Sequence, residues 1–234
     1  MPRSQRPGVY VWDLPTRLCH WALAACVACA FATGFIGGNL IALHAKAGIA
    51  IVGLVAFRIV WGLVGSTYAR FGSFVRGPAA IREALAGRWQ GVGHNPLGAL
   101  SVLGLLALVA FQLATGLFAN DDITFNGPLY ALVSKDTSDL LTALHHRSVW
   151  VLGGLIALHL AAIAFYVRVK KDNLVLPMLT GWKDEPAAPA ESARGGGVIA
   201  FAAALAIGLG AAWAATGALL PPPPPVPAAQ TPSW

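Results

Sequence analysis

The sequence predicts an all-α membrane protein, a bundle of transmembrane helices, and three observations lead to this fold class. Hydrophobic residues make up 56% of the 234 residues and charged residues only 11%, which is unusual for a soluble domain. Five apolar stretches have the length of about 20 residues that a spanning helix requires. They cover roughly residues 17–37, 43–65, 97–119, 148–168 and 198–219. Finally, the basic residues are distributed unevenly between the loops on the two sides of the membrane.

This uneven distribution predicts the orientation of the chain. If residues 1–16 lie in the cytoplasm, twelve Lys and Arg residues fall on the cytoplasmic side and three on the external side, namely Lys46, Lys135 and Arg147. Such a positive-inside bias places the C-terminus outside after five spans. The formal charge of +6 is therefore a topology signal, and we expect no nucleic-acid partner.

The first apolar stretch follows the polar N-terminal segment 1–16. Trp12 is typical of a membrane interface and Pro15 of the first turn of a helix. A cleaved signal peptide is the alternative, but the length of the stretch favours a retained helix. Cys26 and Cys29 form a Cys-x-x-Cys pair within it, which we interpret as small packing residues rather than a redox or metal pair.

The second span begins near His44 on the external side. Arg58 lies fourteen residues later and shares the helical face of His44 at the cytoplasmic depth. In the loop 66–96, Pro78 to Trp89 has apolar residues at four-residue spacing, which predicts a short helix on the membrane surface. His94 follows in the same loop, where we expect a surface histidine.

The third span contains no histidine and leads into a predicted external loop, residues 120–147. Four aspartates against two basic residues leave this loop a net charge of −2. The aspartates are Asp121, Asp122, Asp136 and Asp139. The loop is either a solvated connection or a docking patch for a basic soluble partner, because complementary charge raises encounter rates.

After the fourth span the chain is predicted to form a linker, a helix and a tail. Residues 183–197 are rich in Ala, Pro and Gly and predict a linker. Residues 198–219 predict a fifth transmembrane helix, with a membrane-associated tail as the alternative because its many Ala and Gly residues lower its hydrophobicity. Residues 220–234 predict a periplasmic tail whose proline run favours polyproline II structure.

A histidine within an apolar run is costly and therefore indicates a functional site. His159 is such a residue, and His145 lies fourteen residues before it. At about 100° and 1.5 Å per residue the two share one helical face, about 21 Å apart along the axis. His146 points about 140° away from His159, so we favour His145 as the residue that faces the bundle.

Two further histidines match these by depth. His20 pairs with His159 toward the cytoplasm, and His44 pairs with His145 at the external side. A structural zinc ion normally takes four ligands, whereas each depth supplies two. Haem brings four nitrogens of its own, so the pairs predict two non-covalent b haems with closed coordination, which favours electron transfer. The alternative for each histidine alone is a polar residue that faces the bundle.

Arg58 lies at the depth of the His20 and His159 pair and has two interpretations. It extends to the lipid head groups, as long basic side chains at helix ends do. Alternatively, it forms an ion pair with a carboxylate of the cofactor at this level.

Four stretches of the chain together resemble one known family. They read VWDLPTRLCHW from Val11, HAKAG from His44 with FRIVWGLVG from Phe57, HNPLG from His94, and HHRSVWVLGGLIALH from His145. Over about residues 9–182 the chain is similar to prokaryotic cytochrome b561 proteins and to the related b-type cytochrome subunits of hydrogenases.

The resemblance implies a four-helix core, here residues 17–182, that binds two b haems and exchanges electrons with membrane quinone. It implies axial ligands at the matching positions, which are His20, His44, His145 and His159. The neighbouring His146 and the fifth helix depart from the family pattern.

We therefore expect a di-haem cytochrome b of the bacterial inner membrane. It would carry electrons between the quinone pool and a periplasmic redox protein such as a c-type cytochrome. One alternative is an enzyme that oxidises superoxide and reduces quinone, against which the negative external loop counts mildly. Another is the membrane anchor of a hydrogenase-like oxidoreductase.

Overall fold

The computed structural model describes residues 8–89, 91–123, 125–184 and 191–221. Within these ranges five helices are long and apolar enough to cross a membrane, as predicted. The helices in chain order are α1 (Leu14–Ile36), α2 (Ile41–Val64), α3 (Phe71–Phe74), α4 (Pro78–Leu85), α5 (Pro96–Gly116), α6 (Lys135–Arg168), α7 (Val175–Thr180) and α8 (Val198–Ala215). The predicted proline-rich tail lies outside the described residues from position 222 onward.

The largest departure from the predicted spans is α6, which begins at Lys135 rather than at residue 148. Ser134 caps its N-terminus, where the Thr137 amide donates to the Ser134 hydroxyl at 3.3 Å. Much of the predicted external loop 120–147 is therefore helical. Hydropathy did not find this extension because its residues are polar and lie beyond the apolar stretch. The surface helix α4 likewise ends at Leu85, earlier than the predicted Trp89.

The spanning helices form two groups. Helix α1 packs on α2, and α2 packs on α8, whereas α5 packs on α6. The groups meet where α2 approaches α5, and an apolar core fills the middle of the bundle there. Its buried members are Ile51, Val55, Val109 and Leu152. This apolar layer separates the two depths at which the four predicted histidines lie.

A small two-stranded sheet closes one end of the bundle. Strand β1 (Val9–Tyr10) pairs antiparallel with β2 (Trp182–Lys183). The end that holds this sheet is called the inner end below, and the opposite end the outer end. Asp13 caps α1 there, because one carboxylate oxygen accepts from the Thr16 amide at 2.8 Å. The other oxygen accepts from the Trp61 indole at 3.0 Å, which ties α1 to α2.

The predicted linker 183–197 is in part a structural element of the inner end. Lys183 belongs to β2, and residues 191–196 return to the N-terminal strand. The Ala193 amide donates to the Tyr10 carbonyl at 2.7 Å, and the Thr67 amide donates to the Arg194 carbonyl at 2.9 Å. Composition did not predict these contacts, because backbone hydrogen bonds between distant segments leave no compositional signal, and the linker itself stays a prediction. Residues 185–190 lie outside the described part of the chain.

Helix α8 runs beside α2 from the inner to the outer end. It starts near the bridge between Ser66 and Gly195, and Gly217 after it lies against the Pro128 carbonyl at the outer end. The two helices approach closely at a pair of glycines. A Cβ atom on Gly208 would lie 2.8 Å from the Gly53 carbonyl oxygen and 3.2 Å from Phe57 Cβ. Small residues permit this backbone approach, as in many membrane helix pairs.

We expect Gly208→Leu to destabilise the α2–α8 contact, because the added side chain cannot fit between the backbones. Overpacking of this kind costs about 1–3 kcal/mol. The measurement is the thermal unfolding midpoint of the purified protein in detergent. Gly210→Leu is the matched control, since a Cβ there meets no atom within 4 Å. Equal shifts in both variants would contradict the proposed packing.

Candidate functional site

The outer pair of predicted histidines faces each other across the bundle. The ring centroids of His44 on α2 and His145 on α6 lie 6.0 Å apart, with ring planes at 89°. Two imidazoles on opposite sides of one ion have centroids about 6 Å apart, given metal–nitrogen bonds of about 2.0–2.1 Å. The structure thus brings this pair to the spacing of shared axial ligands.

Backbone carbonyls hold both rings. The His44 Nδ1 atom is 2.8 Å from the Ala30 carbonyl oxygen, and the His145 Nδ1 atom is 2.9 Å from that of Gln112. A carbonyl oxygen only accepts, so Nδ1 carries the proton in each ring and Nε2 keeps its lone pair. This is the usual arrangement of a metal-binding histidine, in which a second hydrogen bond fixes the ring and its tautomer.

Two glycines make room for the rings. A Cβ atom on Gly34 of α1 would lie 2.9 Å from His44 Nδ1. A Cβ atom on Gly116 of α5 would lie 2.7 Å from His145 Cε1. The histidine orientations therefore depend on the absence of side chains at these positions, neither of which the sequence reasoning identified.

Polar residues of α5 add to the support of His145. The Gln112 side-chain amide donates to the His145 carbonyl at 3.0 Å, and its side-chain oxygen accepts from the Ser148 hydroxyl. The Thr115 hydroxyl lies 3.3 Å from His145 Nδ1. Sequence reasoning missed these supporting roles, although an amide inside an apolar span was a usable signal, because buried polar groups require partners.

A cavity of about 700 Å³ surrounds the outer pair, between the α1–α2 and the α5–α6 groups. It has the size of a cofactor site, and its wall is mostly apolar. Apolar and aromatic wall residues include Val27, Phe31, Phe35, Ile51, Val109 and Leu152. In the part of the chain that the structure describes, no three His, Cys, Asp or Glu side chains are placed to hold a metal ion. A ligand that carries its own metal donors, such as haem, fits this chemistry.

The neighbouring His146 occupies a different position. It is exposed and lines the mouth of the cavity together with Asp121 and Asp122. Its ring centroid lies 6.3 Å from that of His145. It is His145 whose ring faces His44, as the helical phase predicts.

The inner pair of histidines has fewer hydrogen-bond partners than the outer pair. His20 on α1 and His159 on α6 lie within electrostatic range of each other below the apolar layer. The Ser101 hydroxyl lies 3.4 Å from His159 Nδ1. His20 Nδ1 is buried and has no hydrogen-bond partner among the described residues. Neither histidine lines the outer cavity.

Arg58 is buried at this inner depth rather than extended to the surface. Only 8% of the residue is exposed. Its guanidinium group donates to the Ala69 carbonyl at 3.2 Å and lies 5.0 Å from the centre of the Phe71 ring. The alternative in which Arg58 reaches the lipid head groups is therefore wrong.

The prediction of a surface position for His94 is also wrong. Its ring packs against Trp12 and Phe74, with centroid distances of 4.6 Å to each. Burial lowers the pKa of the His94 imidazole to about 3. Its position in a loop suggested exposure, but Asn95 caps α5 and turns the loop against the inner end.

A family model described as prokaryotic cytochrome b561 matches residues 11–181. The chain belongs to the prokaryotic cytochrome b561 family. The match includes α1, α2, α5 and α6 and ends before α8. It confirms the resemblance drawn from the sequence motifs.

Several curated relatives share a name, "Probable Ni/Fe-hydrogenase B-type cytochrome subunit". That of Bradyrhizobium diazoefficiens is 25% identical over 213 residues, covering 75% of this chain and 86% of the relative. That of Azotobacter chroococcum is 27% identical over 220 residues, covering 76% and 90%. The hydrogenase 1 subunit of Escherichia coli K12 is 22% identical over 214 residues, covering 74% and 90%. No solved structure matches the chain.

Family membership and the five apolar helices give the general function. This cytochrome is a multi-pass membrane protein of the b type, and its family transfers electrons through haem b. The outer cavity and its two imidazoles are consistent with this cofactor.

We expect Gly116→Ala to weaken haem retention, because the added methyl group would displace His145. Changes to the groups that orient a metal ligand typically cost about 10- to 100-fold in affinity. The measurement is the ratio of haem to protein after prolonged washing in detergent. Gly104→Ala on the same helix is the control, since its Cβ would make an ordinary contact at 3.5 Å. If Gly116→Ala retains haem as well as Gly104→Ala does, His145 does not need this space.

Proposed function

We propose that this cytochrome carries electrons across the membrane through two b haems at two depths. The outer haem would be held by His44 and His145, and the inner haem by His20 and His159. The observation that carries the proposal is the outer pair, with centroids 6.0 Å apart and both Nδ1 atoms fixed by carbonyls. Support for the second depth comes from His159, which lies on α6 about 21 Å from His145.

When bound, haem with two histidine ligands supplies a one-electron couple without an open coordination position. The protein holds and orients the imidazoles and excludes water from the space between the two depths. Ile51, Val55, Val109 and Leu152 form this apolar separation. Helix α6 contributes one ligand to each depth and thereby sets their separation.

The proposed orientation follows from the basic residues. The inner end would face the cytoplasm and the outer end the periplasm of a bacterium, with five spans that leave the C-terminus outside. The basic residues of the described inner-end loops support this orientation. They include Arg70, Arg76, Arg82, Arg88, Lys170, Lys171 and Arg194.

The proposed electron partners are membrane quinone and a periplasmic redox protein such as a c-type cytochrome. Acidic residues near the outer cavity support a basic partner, since opposite charge accelerates encounter. Asp121 and Asp122 lie at the cavity mouth, and Asp139 follows on α6. Lys135 bridges Asp122 at 2.5 Å and Asp139 at 2.7 Å, so part of this charge is balanced locally.

A second candidate is the membrane subunit of a hydrogenase-like oxidoreductase. The shared name of the curated relatives favours it. Superoxide oxidation is a weaker third candidate, because Asp121 and Asp122 would repel an anion at the cavity mouth.

Arg58 has a proposed role at the inner depth. We infer that it pairs with a carboxylate of the inner haem. Its burial supports this role, because a charged group away from water requires a compensating partner. No carboxylate of the described residues forms an ion pair with it.

We expect His145→Ala to lose the outer haem and His146→Ala to keep both haems. The reason is that His145 faces His44, whereas His146 lies at the exposed mouth. Haem content per chain and reduced-minus-oxidised spectra measure the outcome. A protein that loses haem on replacement of His146 and keeps it without His145 would reverse the ligand assignment. A wild-type chain with fewer than two haems would contradict the di-haem proposal itself.

Stopped-flow spectroscopy separates the candidate partners. We expect quinol to reduce the haems of the purified protein, and a basic c-type cytochrome to reoxidise them at a rate that falls with ionic strength. Reduction by superoxide at a higher rate than by quinol would favour the superoxide candidate. Co-purification of a hydrogenase-like catalytic subunit with the full chain would favour the second candidate.

A further inference from the structure

Buried polar atoms without partners gather at the inner end. Native proteins satisfy nearly all such atoms, so an unpaired cluster indicates a missing ligand or water. Within the described residues the unpaired atoms are Thr16 Oγ1, Arg17 Nε, His20 Nδ1, Ser66 Oγ, Trp89 Nε1 and His94 Nδ1. All six atoms belong to residues of the inner half. In the outer half, the Nδ1 atoms of His44 and His145 both have hydrogen-bond partners.

His94 belongs to this set of residues, and aromatic neighbours hold its ring. Its ring lies against Trp12 and Phe74, which limits its rotation. The next residue, Asn95, accepts from the Gly98 amide at 2.6 Å and donates to the Tyr166 hydroxyl at 2.6 Å. The backbone on the C-terminal side of His94 is therefore anchored to α5 and α6. An imidazole held in this way keeps its Nδ1 atom, which is shielded from solvent, in a fixed direction.

The surroundings of His94 adjoin the proposed inner haem site. The ring of Phe74, which packs against His94, lies 5.8 Å from the ring of Phe71. The guanidinium group of Arg58 lies 5.0 Å from the centre of the Phe71 ring, so the two aromatic rings connect His94 with Arg58. The nearby carboxylate of Asp13 is already used by the Thr16 amide and the Trp61 indole. This leaves a buried cation and an unpaired imidazole nitrogen in the same region, and none of the ion pairs among the described residues involves Arg58.

We propose that Arg58 and His94 form a carboxylate-binding site at the inner end, which takes one propionate group of the inner haem. The inference rests on the proposed inner haem and adds His94 as a positioning residue. Arg58 would supply the compensating charge and His94 a second hydrogen-bond donor through Nδ1. A carboxylate that accepts hydrogen bonds from a charged donor and a neutral donor is held more strongly than one that accepts a single neutral hydrogen bond. A quinone carbonyl would leave the charge of Arg58 uncompensated, so the site favours an anion.

The test compares two replacements of His94 in the full-length protein. His94→Phe keeps an aromatic ring between Trp12 and Phe74 but removes the donor. His94→Asn keeps a donor near the position of Nδ1. Redox titration followed by optical spectra gives the midpoint potential of each haem, and His145→Ala identifies the outer one.

We expect His94→Phe to lower the midpoint potential of the inner haem, because an unpaired propionate favours the oxidised iron. His94→Asn should restore a potential close to that of the wild type, and the outer haem should not change. An unaltered inner potential in His94→Phe overturns the proposal. Equal shifts in both variants also overturn it, since they indicate a packing role alone.

A second measurement covers the case in which His94→Phe does not fold. Wild-type apoprotein is reconstituted with haem or with haem dimethyl ester, whose carboxylates are blocked. We expect the inner site to retain the ester more weakly than haem, and equal retention overturns the proposal. Failure of the underlying function is distinguishable, because a wild-type protein that binds no second haem with either compound lacks the inner site altogether.

Discussion

The outer half of the structure depends on one constraint, the need of its two imidazoles for hydrogen-bond partners within the apolar bundle. No water is available in the hydrocarbon region to satisfy a ring nitrogen, so the protein must provide the acceptor. At the outer depth the carbonyls of Ala30 and Gln112 accept from His44 and His145. These bonds leave both Nε2 atoms free to bind a metal and fix the rings before any cofactor arrives. The site is thus pre-organised by backbone atoms that side-chain substitutions do not remove.

The same constraint explains how the helices are arranged. Helix α1 supplies the carbonyl that holds the histidine of α2, and α5 supplies the carbonyl that holds the histidine of α6. The carbonyl that holds each histidine therefore comes from the helix that packs against the helix of that histidine. The cavity lies between the two helix groups. Gly34 and Gly116 permit both contacts. Helix α8 packs on the far side of α2 and takes no part in the outer cavity.

The two ends of the bundle differ in their construction. The outer depth has an open cavity and paired histidines, whereas the inner end is covered by the N-terminal strand, β2 and residues 191–196. Under this cover lie Arg58, His94 and several unpaired donors. In the proposed function, this covered end is the side that exchanges electrons with membrane quinone. The outer cavity, lined in part by Asp121 and His146, is the place where the proposed soluble partner would bind.

The sequence by itself determined the fold class, the number of spans, the family and the face shared by His145 and His159. These features are local or periodic, because hydropathy and helical phase depend only on residue type and spacing. The tertiary structure alone decided which carbonyls hold the histidines and where α6 begins. It also decided that Arg58 is buried and that the His94 ring packs against Trp12 and Phe74. It also showed the roles of Gln112 and Gly116, which lie about thirty residues from His145 along the chain. Such features depend on contacts between distant segments, which leave no periodic signal in a single sequence.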